Sequence, residues 1–198
     1  MILNDTILKK NLKKIMEHKE GVENILVFGS VVRGKEKPED IDIIVIFKEK
    51  VLKEVEYQIR KEIEKKYKSV SIISKTSATL LDPAFDARES ILFEGKSLLK
   101  DKNIAEQYGY TPLGMFKYNF QGWSKLQKLK YFYALNGRGA QKGILQEIAG
   151  IKLGDGIVLV PLHKVEKLRL FLEFWKVEYQ YIPILIPQRL NQKKILES

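Results

Sequence analysis

Residues 27–34 have the sequence VFGSVVRG, and residues 40–45 have the sequence DIDIIV. The first stretch predicts a strand that ends at Gly29, where a residue without a side chain lets a ligand approach the backbone. Ser30 and the amides after it are expected to begin a helix, and a helix N-terminus binds phosphate. The second stretch predicts a strand over residues 41–47 because it is rich in β-branched residues.

Asp40 and Asp42 lie two residues apart at the start of the second strand. Side chains at positions i and i+2 of a strand point to one face, so the two carboxylates project together from an otherwise apolar strand. Two such charges are unfavourable unless a cation joins them, and Mg²⁺ is held by one or two carboxylates together with substrate phosphates. The alternative is that both aspartates lie on the solvated face of an edge strand. The combination of strand, Gly-Ser, spacer and Asp-x-Asp favours metal-assisted phosphoryl or nucleotidyl transfer.

This pattern resembles the minimal nucleotidyltransferase domain of the DNA polymerase β-like superfamily. The superfamily's signature is an apolar residue, Gly-Ser, a short spacer and Asp-x-Asp between apolar residues, and the resemblance extends over about residues 20–100. It implies an α+β fold in which a short mixed sheet is flanked by helices. It also implies an NTP donor, with ATP expected, two divalent cations, Mg²⁺ or Mn²⁺, and attack by a hydroxyl on the α-phosphate.

The resemblance assigns roles to five residues of this sequence. By analogy Gly29 and Ser30 bind the β- and γ-phosphates of the nucleotide, and Arg33 assists them. Asp40 and Asp42 are the catalytic residues and hold both metal ions.

The sequence departs from the superfamily at a third carboxylate, which usually lies on the next strand. Here that strand contains Ser71 at the expected position, or Ser69 if the register slips by two residues. Serine is a poor Mg²⁺ ligand and no useful base, and Asp82 and Asp86 are candidate substitutes. The departure leaves open a catalytically impaired protein that binds RNA or nucleotide.

The composition excludes several other classes of site. The chain has 198 residues, 44% of them hydrophobic, with two histidines and no cysteine, which rules out disulfides, thiolate metal sites and cysteine nucleophiles. No apolar run approaches the roughly 20 residues of a membrane span, and no secretory signal is predicted. We therefore expect a cytoplasmic protein without a membrane partner. The abundance of Lys, Glu and Ile without Cys suits a thermophile.

Charge divides the chain into two predicted domains, a nucleotidyltransferase-like domain over 1–103 and a smaller helical or α+β domain over 104–198. The formal net charge is +10, of which residues 101–198 contribute 15 basic and 8 acidic side chains. Residues 107–146 contain no Asp or Glu but nine aromatic residues between Tyr108 and Tyr133. Such a stretch favours a polyanionic partner, RNA before other nucleic acids.

Five basic residues of the acid-free stretch are the candidate phosphate contacts: Lys125, Lys128, Lys130, Arg138 and Lys142. Four aromatic residues are candidates for stacking on bases: Tyr118, Phe120, Trp123 and Tyr131. The alternatives are that these aromatic residues form the core of the domain and that the lysines form a solvated face.

Periodicity and breakers predict the remaining elements. In the first half we expect helices from Asp5 or Thr6 and over 49–66 and 85–93, and strands over 24–28 and 70–73. In the second half we expect helices over 123–135, 140–149 and 163–175, a turn over 150–156, strands over 157–161 and 177–186 that turn at Pro183, and a loose tail over 187–198.

The favoured function is transfer of an NMP from an NTP to a hydroxyl of RNA or another nucleic acid. A small-molecule or protein-modifying nucleotidyltransferase and an antitoxin with a separate toxin stay open as weaker alternatives. The sequence does not set the oligomeric state.

Overall fold

The computed structural model describes residues 1–191, and internal contacts divide the chain into two compact units. The first unit comprises Met1–Val32 and Glu36–Tyr108. The second comprises Arg33–Lys35 and the residues from Gly109 onward. Among the helices of residues 1–191, none combines the length and the apolarity that a membrane span requires.

The first unit is a mixed α+β structure. Its elements are α1 (Thr6–His18), β1 (Val22–Phe28), β2 (Ile41–Phe47), α2 (Lys53–Glu64), β3 (Val70–Thr76), α3 (Arg88–Glu94), β4 (Lys96–Ser97) and α4 (Ile104–Gln107). The predicted start of α1 is confirmed, because the Asp5 carboxylate accepts a hydrogen bond from the Leu8 amide at 3.1 Å and caps the helix.

The sheet of the first unit has the strand order β3-β2-β1-β4. β2 runs parallel to β3, whereas β1 is antiparallel to both β2 and β4, so the predicted mixed sheet is confirmed. Ile43, Val45 and Phe47 of β2 are fully buried, and the alternate residues Ile44 and Ile46 pack in a second apolar cluster with Leu26, Leu80, Ile91 and Ile104. Apolar residues therefore cover both faces of β2.

The helix expected after Ser30 is absent from the described structure. Gly29–Val31 forms one 3₁₀ turn, closed by a hydrogen bond from the Val32 amide to the Gly29 carbonyl at 3.1 Å, and residues 32–40 continue as turns and loop. Gly34 has a φ of +93° and Pro38 follows it, and both residues break a helix. The predicted phosphate site therefore comprises only the strand end and this single turn.

The second unit is also α+β. Its elements are β5 (Tyr110–Tyr118), α5 (Lys125–Asn136), β6 (Gly137–Arg138), β7 (Gln141–Lys142), α6 (Ile144–Ile148), β8 (Ile151–Gly154), β9 (Ile157–Pro161), α7 (Val165–Phe174), β10 (Tyr179–Pro187) and α8 (Gln188–Asn191). Its main sheet is antiparallel with the order β10-β5-β9-β8, and β6 and β7 form a separate hairpin.

The central strand β5 was not predicted, because it contains Pro112 and Gly114. Pro112 lies outside the stretch that pairs with β9, which covers residues 113–117, so only β10 flanks it. At Gly114 a Cβ atom would lie 2.6 Å from Val165 Cγ2, so close packing against α7 requires glycine. Pro112 and Gly114 are therefore both compatible with β5, the first because only one strand pairs with it and the second because of the close packing.

The helix predicted over 140–149 and the turn over 150–156 are both wrong. The β6–β7 hairpin occupies the start of the first segment, and only α6 remains helical. Gly137 and Gly139 have φ angles of +93° and +59°, a backbone that turns the chain back on itself. The second segment is mostly β8, which pairs with β9.

β10 does not turn at Pro183. The strand pairs with β5 in one continuous register from Tyr179 to Pro187, with Pro183 opposite Gly114. A proline is tolerated because β10 is an edge strand. Of the tail predicted to be loose, Pro187 belongs to β10 and residues 188–191 form α8, while residues 192–198 lie outside the described residues.

Candidate active site

Three side chains form a row across the sheet of the first unit. Asp42 on β2 pairs with Phe28 on β1 and with Ser71 on β3. Paired residues of neighbouring strands point to the same face of a sheet, so a carboxylate lies between an aromatic ring and a hydroxyl. The neighbour of Asp42 on the next strand is therefore Ser71 rather than Ser69, and Ser71 is exposed.

Gly29 lies directly against the Asp42 carboxylate. Its φ is +75°, and a Cβ atom added there would lie 2.7 Å from Asp42 Oδ2. Only glycine combines this left-handed backbone with so close an approach. Ser30 follows in the 3₁₀ turn and is half-buried. The turn and the Asp42 carboxylate therefore occupy the same end of β1 and β2.

Asp40 is exposed and lies just before β2. The next residue, Ile41, donates its amide hydrogen to the Ser69 carbonyl at 3.0 Å, so the parallel pairing with the β3 strand begins there. Asp42 lies on β2 and Asp40 one residue before the strand begins, so the shared face predicted for the two carboxylates stays a prediction.

Asp40 and Asp42 are the two predicted metal ligands. Among residues 1–191 there is no group of three His, Cys, Asp or Glu side chains that could hold a metal ion. Asp82 and Asp86 are exposed, and Asp82 Oδ1 accepts a hydrogen bond from the Ala84 amide at 2.8 Å. Two aspartates nevertheless fit Mg²⁺, which binds through one or two carboxylates and completes its shell with substrate phosphates and water.

Arg33 contacts a glutamate of the second unit, the unit to which Arg33–Lys35 belongs. Its Nε lies 3.2 Å from Glu166 Oε1, and its carbonyl accepts a hydrogen bond from the Glu166 amide at 3.2 Å. Both side chains are mostly buried. The predicted role of Arg33 in nucleotide binding requires this ion pair to open or to share its guanidinium.

The five predicted phosphate contacts of the second unit lie on two consecutive elements. Lys125, Lys128 and Lys130 are exposed on α5, and Arg138 and Lys142 are exposed on the β6–β7 hairpin that follows. Lys125 and Lys128 share a side of the helix, whereas residues two apart such as Lys128 and Lys130 do not face each other. The three lysines of α5 therefore do not form one stripe, and the other two cations lie outside the helix.

Two of the four predicted stacking residues belong to the core. Tyr118 is 6% exposed and Tyr131 is 1% exposed. Their rings meet edge to face at 5.8 Å between centroids, and Tyr131 also contacts Phe171 and Trp175. Burial raises the pKa of both tyrosine hydroxyls. Neither ring is available to a base, whereas Phe120 and Trp123 are half-buried in the same aromatic cluster.

Sequence reasoning missed a different aromatic residue of α5. Phe132 is 48% exposed, and Lys152 Nζ lies 5.7 Å from the centre of its ring. The buried residues Tyr131 and Leu135 are four apart and mark the inner side of the helix, which places Phe132 toward the outside. The four-residue spacing of Tyr131 and Leu135 is the feature of the sequence that could have identified Phe132 as an outward-facing ring.

The comparisons with known proteins support the assignment of the first unit. Residues 10–103, slightly less than half of the chain, match the family model described as Polymerase beta, Nucleotidyltransferase. No curated protein matches the chain.

Two solved structures resemble part of the chain. A crystal structure of a mutant of the toxin–antitoxin MntA-HpeT is 15% identical, covers 50% of this chain and 79% of that chain, and has a TM-score of 0.36. A rebuilt and re-refined structure of the tri-AMPylated Shewanella oneidensis HEPN toxin in complex with MNT antitoxin is 16% identical, covers 52% of this chain and 76% of that chain, and has a TM-score of 0.33. Likenesses this partial carry no conclusion about partners or substrates.

The segment matched by the family model contains the Gly-Ser turn, the strand-borne Asp-x-Asp and the mixed sheet that joins them. The resemblance stated for about residues 20–100 is thus confirmed, and residues 10–103 match the polymerase beta nucleotidyltransferase family.

Proposed function

We propose that this protein transfers a nucleoside monophosphate from an NTP, with ATP favoured, to a hydroxyl group, and that the hydroxyl belongs to RNA. In this reaction the hydroxyl oxygen forms a bond to the α-phosphorus, its proton is lost, and pyrophosphate leaves. The observation that carries the proposal is the close contact between the Asp42 carboxylate and Gly29 at the end of β1. A carboxylate and a backbone turn lie within a few ångströms of each other there, and a metal-bound polyphosphate needs both.

Different residues of the first unit would bind the phosphates, hold the cations and position the carboxylate. The Gly29–Val31 turn would offer its backbone amides to the polyphosphate, and the missing side chain at Gly29 lets the Asp42 carboxylate lie against the turn. Asp40 and Asp42 would hold the divalent cations, Mg²⁺ or Mn²⁺, and these when bound offset negative charge on the phosphates. Phe28 and the apolar cluster below Asp42 keep the strand rigid, which fixes the direction of the carboxylate.

The second unit supports the choice of RNA. Residues 109–191 contain 12 basic and 5 acidic side chains, a net charge of +7. Such an excess attracts a phosphate backbone, and binding of the acceptor supplies the proximity that the transfer needs. The candidate contacts are the five basic residues of α5 and the β6–β7 hairpin.

An incorporation assay tests the proposal. The full chain is incubated with total RNA, Mg²⁺ or Mn²⁺, and each α-labelled NTP in turn, beside Asp42→Ala. We expect label on RNA with the wild type alone, and the labelled species identifies the acceptor. Equal transfer by Asp42→Ala would refute the assigned site.

One observation favours a second candidate, a module that binds nucleotide or RNA without turnover. Ser71 occupies the position beside Asp42, and the described residues supply no group of three metal ligands. Ser71→Asp tests this candidate. Ser69→Asp is the control, because Ser69 is also exposed but lies just before β3 and does not pair with Asp42. If the missing carboxylate limits the protein, Ser71→Asp raises Mn²⁺ affinity and transfer, while Ser69→Asp does not.

A further inference from the structure

A cavity of about 360 Å³ lies within the second unit, beside α5. Its apolar walls are formed by Tyr118, Phe120, Tyr131, Phe132 and Leu135. Pockets of 300–1,000 Å³ with apolar and aromatic walls and a few polar groups are typical of sites for small organic groups. The family match covers residues 10–103 and does not account for this cavity.

Three charged side chains and Gly156 complete the lining. Lys152 Nζ lies 2.8 Å from Asp155 Oδ1, and this ion pair lowers the pKa of the Asp155 carboxyl. The same ammonium lies 5.7 Å from the centre of the Phe132 ring. Lys128, which also lines the cavity, is exposed on α5. The two lysines outnumber the one acid, so the lining has a net positive charge.

The geometry points to a binding site for one nucleotide unit of a single-stranded nucleic acid or a free mononucleotide. The base would stack on the exposed Phe132 ring, and its phosphate would contact Lys128 and Lys152. Aromatic faces bind any base by stacking, and nearby lysines bind the backbone. A purely aliphatic ligand would leave both lysines without a role, and a small inorganic anion would leave the aromatic walls without one.

This inference rests on the proposed function for the choice of nucleic acid, but its test does not depend on transfer. Binding to the full chain is measured by the fluorescence anisotropy of a labelled single-stranded RNA of about ten nucleotides, a length within the usual range of such sites. Unlabelled AMP and polyglutamate are added as competitors, and the measurements use moderate salt to limit non-specific binding.

Two matched pairs of variants separate the cavity from the helix surface around it. Phe132 and Leu129 are 48% and 46% exposed on α5, but only Phe132 lines the cavity. Lys128 and Lys125 are both exposed on the same helix, and only Lys128 lines the cavity. All four side chains face solvent enough that truncation to alanine leaves the fold intact, which circular dichroism verifies.

We expect Phe132→Ala to weaken RNA binding about tenfold, the loss of one stacked base, and Leu129→Ala to weaken it less than about twofold. Lys128→Ala should weaken binding more than Lys125→Ala at the same salt concentration. Competition by AMP that Phe132→Ala abolishes would identify a free mononucleotide as a ligand. Binding of RNA alone with the same dependence on Phe132 would identify the strand.

Equal losses within both pairs would overturn the proposal, because they would indicate a diffuse basic surface. Displacement of RNA by polyglutamate as effective as that by unlabelled RNA would overturn it as well. If the incorporation assay fails but the two variants of each pair still differ in RNA affinity, the transfer reaction is refuted and the binding role of the cavity is not.

Discussion

The two units place their charged side chains in different ways. In the first, Asp40 lies just before β2 and Asp42 is its second residue, and the residues that follow, 43–47, are all buried. In the second, the five candidate cations are distributed over a helix and a hairpin, and every one of them is exposed. Chemistry that requires a fixed position uses few residues on a rigid element, whereas attraction to a polyanion tolerates many residues on a surface. Single substitutions should therefore have large effects in the first unit and small effects in the second.

The largest effect is expected at Asp42. Replacing Asp42 by Asn removes a charge that the proposed cation site requires, and we expect RNA labelling to fall at least about a hundredfold with little change in the midpoint of thermal unfolding. Asp86→Asn is the control, because Asp86 is an exposed aspartate of the same unit. A comparable loss in Asp86→Asn would instead identify Asp86 as a third carboxylate that moves into the site.

The next effect concerns an acid of the first unit that has a structural role. Asp5 Oδ2 lies 2.6 Å from Lys66 Nζ, and the hydrogen bond from Lys66, with those from the Leu8 amide and Tyr67, lowers the Asp5 pKa to about 2. Because this pKa is depressed, the stabilisation is present above pH 4 and is lost as the pH falls toward 2.

Asp5→Asn should thus lower the free energy of unfolding by about 1–2 kcal/mol at pH 7, and its difference from the wild type should shrink as the pH approaches 2. Urea unfolding at several pH values measures both. Glu54→Gln is the control, because Glu54 pairs with Lys19 on the surface and is 74% exposed, so the expected change is below about 0.5 kcal/mol. A constant difference across the pH range would contradict the assigned pKa.

A smaller effect is expected from crowding at the strand end. Gly29→Ala and Gly122→Ala impose nearly the same backbone strain, since the φ angles are +75° and +78°, but nothing lies within 4 Å of a Cβ atom at Gly122. Each substitution should cost about 1 kcal/mol of stability, and Gly29→Ala should cost somewhat more because it displaces Asp42. Of the two variants, only Gly29→Ala should bind Mn²⁺ more weakly than the wild type, which calorimetric titration measures. Equal Mn²⁺ affinity in both variants would mean that Asp42 does not bind the metal from this position.

The smallest effect is expected at a single surface lysine. Lys130→Ala removes one exposed cation that does not line the cavity. RNA affinity should fall about twofold, and the slope of log affinity against log salt should decrease by about 0.7 if Lys130 contacts one phosphate. An unchanged slope would remove Lys130 from the contact surface.

The first unit could be predicted better than the second, because one short sequence pattern contains both the candidate catalytic residues and the buried strand residues. The alternation of aspartate with isoleucine in 40–43 identified both the strand and the carboxylate face, and the structure places β2 at the predicted residues 41–47. The helix expected after Ser30 does not form, because Gly34 and Pro38 follow within eight residues and both break a helix. The neighbour of Asp42 required the sheet register, which local periodicity does not contain.

The second unit was less predictable because tertiary packing overrides local signals there. Pro112 and Gly114 normally argue against a strand, yet β5 is central in its sheet. Tyr118 and Tyr131 looked like candidates for base stacking by composition, and only their burial shows that they belong to the core. Composition identifies a basic, aromatic-rich unit, but it cannot assign each ring to the interior or the surface.

Pro183 has a consequence for how the protein behaves at high concentration. β10 is nine residues long, lies at the edge of its sheet, and exposes Ile182 and Leu185 by 37% and 39%. A long edge with exposed apolar side chains invites strand addition from another chain, the first step of aggregation. Pro183 and Pro187 offer no N–H group to an incoming strand, so two donors that would continue the ladder are missing from this edge. Pro183, for which a turn was predicted, thereby opposes aggregation through the edge of the sheet.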